Sequence, residues 1–191
     1  MKKVKFGIVG VGDFGVMHIQ ALKQLPEAEV HAVSCRTESR LKAICEKYKI
    51  PNWYTNVDDL MNDPEMDVII VATGEDTHYS FTEKAIREGK HVLLEKPICL
   101  NVEDGKKLLE LEQNTDLYIL PGHILRYDAS YNNAYRILQN EDMYGKILSI
   151  RVKRNVPIER FSLHSRTHPV FMALAHDIDI ITWLTNSRIK S

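Results

Sequence analysis

Residues 4–26 read VKFGIVGVGDFGVMHIQALKQLP, and the glycines at the centre of that stretch decide the fold. Val4, Phe6, Ile8 and Val9 form a short apolar run; Phe14, Met17, Ala21, Leu22 and Leu25 then recur at helical spacing until Pro26. The pattern is strand, glycine turn, helix. In Gly10-Val11-Gly12-Asp13-Phe14-Gly15, Gly10 permits a tight turn and Gly12 lets the backbone approach a pyrophosphate with no side chain in the way. Gly15 lets helix and strand pack closely. Amides and the helix dipole then hold phosphates. Gly10, Gly12, Asp13, Phe14 and Gly15 are therefore the expected contacts of a dinucleotide.

Working outward, the same unit recurs. Strands are expected at 30–34, 68–72, 91–94 and 117–120, and helices at 38–48, 79–88 and 102–113. Strands alternating with helices of this length imply βαβ units with right-handed crossovers and a parallel sheet covered on both faces. The expected fold is α/β: a Rossmann doubly wound parallel sheet over residues 1–120, with Pro121-Gly122 marking the boundary. Residues 121–191 read as the start of an α+β second domain. A helix is expected over 129–139, with Tyr127, Tyr131, Tyr135 and Leu138 on one face for core or interface packing. An alternating strand with one wet side is expected over 146–156, and a helix over 170–184. A single strand cannot bury its apolar face alone. The second domain is thus expected to be incomplete, either because the sequence is truncated or because another copy covers it.

Composition bounds the function classes. With 44% hydrophobic and 27% charged residues, the 191-residue chain falls in the globular range and outside the disordered one. A net charge of -1 supplies no field for drawing in nucleic acid or anionic lipid, so neither is an expected partner. Cys35, Cys45 and Cys99 show no zinc spacing and fit reduced thiols in a cytoplasmic protein. Lys2, Lys3 and Lys5 before an apolar stretch imitate a signal peptide, but glycines interrupt it. No apolar run approaches the roughly 20 residues that a membrane span needs. His164 and His168 stand at i, i+4 spacing without a third ligand, so no metal is expected.

Other residues carry chemistry. The position about 20 residues beyond the glycine turn, where an acid would bind the ribose of NAD, is Cys35, and its neighbour Arg36 suits a 2′-phosphate. The pocket therefore leans toward NADP over NAD, with Glu38 the nearest acid for NAD. Thr73 to His78 and Glu95-Lys96-Pro97 follow strands at the end of the sheet where such folds bind ligands. Thr73, His78, Glu95 and Lys96 join the expected cofactor residues, and Lys96 can place a cation beside a reacting hydroxyl. Lys146, Arg151, Lys153, Arg154, Arg160 and Arg166, opposed by Glu159, form a basic segment read as a solvated strand face, with an anionic substrate as the alternative.

Taken together, Gly10-x-Gly12-x-x-Gly15-x-x-His18, the Thr73 to His78 loop, Gly89-Lys90-His91-Val92 leading into Glu95-Lys96-Pro97, and His176-Asp177-Ile178-Asp179 resemble the glucose-fructose oxidoreductase / inositol dehydrogenase (Gfo/Idh/MocA) family. The resemblance runs almost end to end. It implies a Rossmann domain followed by an α+β domain whose open sheet commonly mediates oligomerisation, so a homo-oligomer of the full-length protein is expected. It also implies that Lys96 binds substrate and cofactor, that His176 is the acid/base for a sugar hydroxyl, and that Gly122-His123-x-x-Arg126-Tyr127 lies near the substrate. Arg126, Tyr127 and Asp179 are the expected substrate residues. Two departures stand out: Met172 and Leu174 replace the Asp and Gly that many members carry before the histidine, and Gly74 replaces a loop proline.

The expected function is hydride transfer between nicotinamide and a hydroxyl carbon of a sugar, polyol or sugar nucleotide. The alternative is a non-catalytic NAD(P)-binding regulatory or interaction protein of the same fold.

Overall fold

The computed structural model describes residues 2–155 and 174–190. Two compact units emerge, Met1–Gly122 and His123–Ser191.

In the first unit, β1 (Val4–Val9) runs into α1 (Asp13–Leu22), followed by β2 (Ala28–Ser34) and α2 (Glu38–Tyr48). Then come β3 (Asn52–Tyr54), α3 (Val57–Met61), β4 (Val68–Val71), a 3-10 turn at Glu75–Thr77 and α4 (His78–Arg87). The unit closes with β5 (His91–Leu94), α5 (Val102–Gln113) and β6 (Ile119–Pro121). All six strands are parallel, in the order β3-β2-β1-β4-β5-β6. The order reverses between β1 and β4, and the crevice of a doubly wound sheet opens at such a reversal.

Successive residues of a strand point to opposite faces, and the core divides accordingly. Ile8, Val33 and Ile70 pack with Ile19 and Leu22 of α1 and Leu41 of α2. Their neighbours Val9, Ala32, Ile69 and Val71 pack with Leu60 of α3, Ala85 and Ile86 of α4, and Leu108 of α5. Each fully buried Val, Leu or Ile contributes about 1.5–3 kcal/mol, so both layers are anchored by the central strands. The sheet is buried on both sides, and that explains why its strands read as continuous apolar runs. β3 and α3 were absent from the expected elements. Three and five residues are too short to show a period, although Asn56 caps α3 by accepting the Asp58 N–H at 3.0 Å.

The second unit holds a 3-10 turn at Ile124–Tyr127, α6 (Ala129–Leu138), α7 (Glu141–Tyr144) and α8 (Ala175–Thr185). Asp128 caps α6 by accepting from the amides of Ser130 at 2.9 Å and Tyr131 at 3.4 Å. Tyr135 stacks on Trp183 of α8, with centroids 4.2 Å apart.

Two expectations are corrected here. Residues 146–155 form no strand, because a strand needs a hydrogen-bonded partner and none is present among the described residues; Leu148 is 96% exposed. Tyr127 does not share the packing stripe. It precedes the Asp128 cap, where helical phase does not yet apply, and is 81% exposed. Of the helix expected over 170–184, residues 170–173 lie outside the described residues, as do Val156, Glu159, Arg160, His164, Arg166, His168 and Met172.

Candidate dinucleotide and substrate sites

The glycine turn has the geometry its sequence demands. Gly10 has φ +93°, and a Cβ there would strike the carbonyl oxygen of Ala72 at the end of β4. A Cβ on Gly15 would fall on the carbonyl oxygen of Gly10, so helix and turn touch through backbone alone. Gly12 differs: it is the N-cap of α1, no side chain caps the helix there, and nothing lies within 4 Å of the position its Cβ would take. A helix N-terminus with uncapped donors beside open space fits a pyrophosphate, which would accept hydrogen bonds from the first-turn amides. Asp13 is exposed at this edge and Phe14 is 44% exposed.

At the end of β5, Glu95 is only 7% exposed, and one of its oxygens lies 2.8 Å from Nε2 of His18 on α1. Its other oxygen accepts the Lys96 backbone N–H at 3.3 Å. Burial pushes the Glu95 carboxyl up, but the hydrogen bond and charge of His18, with the amide and charge of Lys96, outweigh burial and hold it below its ordinary value. The Lys96 ammonium lies 5.2 Å from the centroid of the Phe14 ring, within cation–π range. The Lys96-Pro97 bond is cis.

At the end of β4, Thr73 and Thr77 hydroxyls are 2.7 Å apart, and Thr77 donates to the Gly74 carbonyl at 2.8 Å. His78, grouped by sequence with the cofactor residues, is 1% exposed and joins two turns. Its Nδ1 is 2.6 Å from the Pro97 carbonyl and its Nε2 is 3.3 Å from that of Thr73. His78 thus ties the turn after β4 to the turn after β5. Arg36 is exposed in the turn after β2, where the Cys35 amide donates to Tyr54 at 3.3 Å.

In the second unit, Arg126 grips Asp179 in a fork: Nε lies 3.1 and 3.0 Å from the two carboxylate oxygens and a terminal nitrogen 2.5 Å from one of them. Asp179 is buried, so this pair neutralises a charge that would otherwise be unsupported. Two expected substrate residues are therefore each other's partners, while Tyr127 stands away in solvent. Burial holds His123 below the ordinary histidine value; Asp179 pulls it up and Arg126 pushes it down. Its buried Nδ1 sits 3.8 Å from Asp179, too long for a hydrogen bond, and has no hydrogen-bond partner among the described residues.

Arg154 corrects the reading of a wholly solvated basic face. It forms a second fork, to buried Asp177, with contacts of 3.0, 2.9 and 2.6 Å. His176 is half-buried in the first turn of α8, immediately before the first of these two paired acids in sequence; Leu174 is exposed at the helix start. The sequence reading missed His18–Glu95 and Arg154–Asp177 as pairs. Acids inside the apolar run AHDIDIITWL were the available signal for the second, since an acid on a buried face needs a partner. Among the described residues no cluster of His, Cys, Asp or Glu could hold a metal, and no helix is long and apolar enough to cross a membrane.

Comparison with known proteins agrees with this geometry. A family model described as an oxidoreductase family with an NAD-binding Rossmann fold matches residues 4–123. Myo-inositol 2-dehydrogenase of Thermotoga maritima is 25% identical over 189 residues, covering 98% of this chain and 56% of that protein. Apo scyllo-inositol dehydrogenase of Lactobacillus casei superposes with a TM-score of 0.89 at 27% identity, covering 97% of this chain and 55% of that one. Its structure with bound NAD(H) and scyllo-inositol gives 0.89 at 25% identity, with 97% and 57% covered. The chain spans about half the length of the relatives it matches. The glycine turn between β1 and α1, the reversal of strand order beside it, and a family match running from β1 past β6 together make this chain a member of the Gfo/Idh/MocA family of oxidoreductases with an NAD-binding Rossmann fold.

Proposed function

We propose that this chain carries the dinucleotide site and part of the substrate site of an NAD(P)-dependent oxidoreductase acting on a hydroxyl carbon of a polyol or sugar. The observation that carries the reading is the open space at Gly12, at the uncapped start of α1. The inositol named with the relatives favours a polyol over other alcohols. Among the described residues, no structural observation favours the non-catalytic alternative.

Bound nicotinamide would supply the hydride acceptor. The chain's own groups do the rest. Lys96 presents a cation that stabilises the developing alkoxide, and His176 accepts the hydroxyl proton as the carbon gives up its hydride and becomes a carbonyl. The Arg126–Asp179 fork holds the approach to the substrate rigid. Cys35, Cys45 and Cys99 are free thiols, which suits the cytoplasmic setting included in this proposal. The proposal also takes in a homo-oligomer for the full-length protein, as the family resemblance implies.

Cofactor choice is the finer part of the reading. With Cys35 where an acid would read the NAD ribose and Arg36 exposed beside it, NADPH is expected to bind more tightly than NADH. A charge-assisted contact is worth roughly 1.5–3 kcal/mol, or about tenfold to a hundredfold in affinity. Calorimetric titration of both cofactors tests the two levels together. Binding of neither would defeat the proposed function, whereas equal affinities, or a preference unchanged in Arg36→Ala, would defeat only the role of Arg36.

A further inference from the structure

We propose that α1 positions Lys96 in addition to framing the phosphate site: His18 fixes the Glu95 carboxylate that holds the Lys96 main chain, and Phe14, one turn earlier, sits beneath the Lys96 ammonium. His18 and Phe14 are four residues apart in α1 and so share one face of the helix. They meet consecutive residues at the end of β5. One Glu95 oxygen lies 2.8 Å from His18 Nε2 and the other accepts the Lys96 amide at 3.3 Å, so the carboxylate bridges the imidazole and the lysine backbone. The Glu95 side chain is itself buried, only 7% exposed. The Lys96 ammonium then lies 5.2 Å from the Phe14 centroid. Two side chains of one helix thereby set both the backbone and the side chain of Lys96. Phe14 belongs to the glycine turn itself, so whatever settles on the start of α1 also bears on the direction of Lys96.

The inference rests on the proposed function only for what Lys96 acts upon, and its test needs no dinucleotide. Reductive methylation with 13C-formaldehyde keeps lysine charged. The Lys96 resonance, identified by its disappearance in Lys96→Arg, is expected upfield of solvated lysines because it lies over a ring. In His18→Leu it should move to the position of a solvated lysine. In His18→Gln, whose amide reaches the same carboxylate, it should stay. Thermal unfolding is followed on each variant to show that the fold persists, and His18→Asn, too short to reach Glu95, carries the same expectation should His18→Leu not fold. A folded His18→Leu or His18→Asn with the Lys96 resonance unmoved would overturn the proposal. So would a His18→Gln that fails to preserve it, or failure of both the Leu and Asn variants to fold, which would make His18 a general structural residue. A chain that binds neither cofactor would defeat the proposed function and leave this result untouched.

Discussion

Gly15→Ala is expected to destabilise the first unit by about 3 kcal/mol or more, with the midpoint of urea unfolding falling accordingly. Alanine in a helix ordinarily gains up to about 1 kcal/mol over glycine, so propensity alone predicts the opposite sign. Geometry decides against propensity here. The new Cβ would overlap the Gly10 carbonyl oxygen, a backbone atom in a residue whose own φ of +93° is fixed by the tight turn, so neither partner can give way cheaply. Gly12→Ala is the control within the same turn: φ of -72° suits alanine and its Cβ meets nothing, so stability should change by no more than about 0.5 kcal/mol. Equal stability of the Gly15→Ala and wild-type proteins would show that helix and turn do not touch as described.

Lys96→Met is expected to lower the rate of polyol oxidation by about 10²–10⁴-fold, the range for removing a group that assists proton or charge movement at the reacting hydroxyl. Cofactor affinity should change far less, because the glycine turn and start of α1 are untouched. Among what the substitution removes is a cation–π contact with Phe14, worth roughly 0.5–1 kcal/mol at an exposed site. Stopped-flow measurement of nicotinamide reduction, beside a binding titration, separates the two effects. Wild-type protein that binds cofactor yet transfers no hydride to any polyol would favour the non-catalytic reading; full activity in Lys96→Met would remove Lys96 from the chemistry.

The central strands and their helices were legible because burial on both faces writes itself as uninterrupted apolar runs, and Gly10, Gly12 and Gly15 mark where backbone must approach backbone or ligand. β3 and α3 were illegible for lack of length. The strand expected over 146–156 alternates correctly, but alternation states only what a strand would bury; a hydrogen-bonded neighbour is a separate requirement that no local pattern reports. Tyr127 fits the helical stripe by spacing and fails it because the helix begins only beyond it, at the Asp128 N-cap. At the candidate sites, residue types were readable and pairings were not. His18 and Glu95 are 77 residues apart and Arg126 and Asp179 are 53 apart, so only the folded chain shows that each acid is spoken for. His78 illustrates the same limit: a histidine at a ligand-binding edge turned inward to two carbonyls, which its position in a motif does not reveal.

Under the proposed function the open space at Gly12 receives the dinucleotide's pyrophosphate, and titrating NADH and NADPH into wild-type and Gly12→Ala protein reads that role out. Wild-type protein is expected to bind at least one of the two, and Gly12→Ala, equally stable to heat, to bind it at least about tenfold more weakly because its methyl group occupies the phosphate's approach. Undiminished binding by a folded Gly12→Ala protein would contradict it.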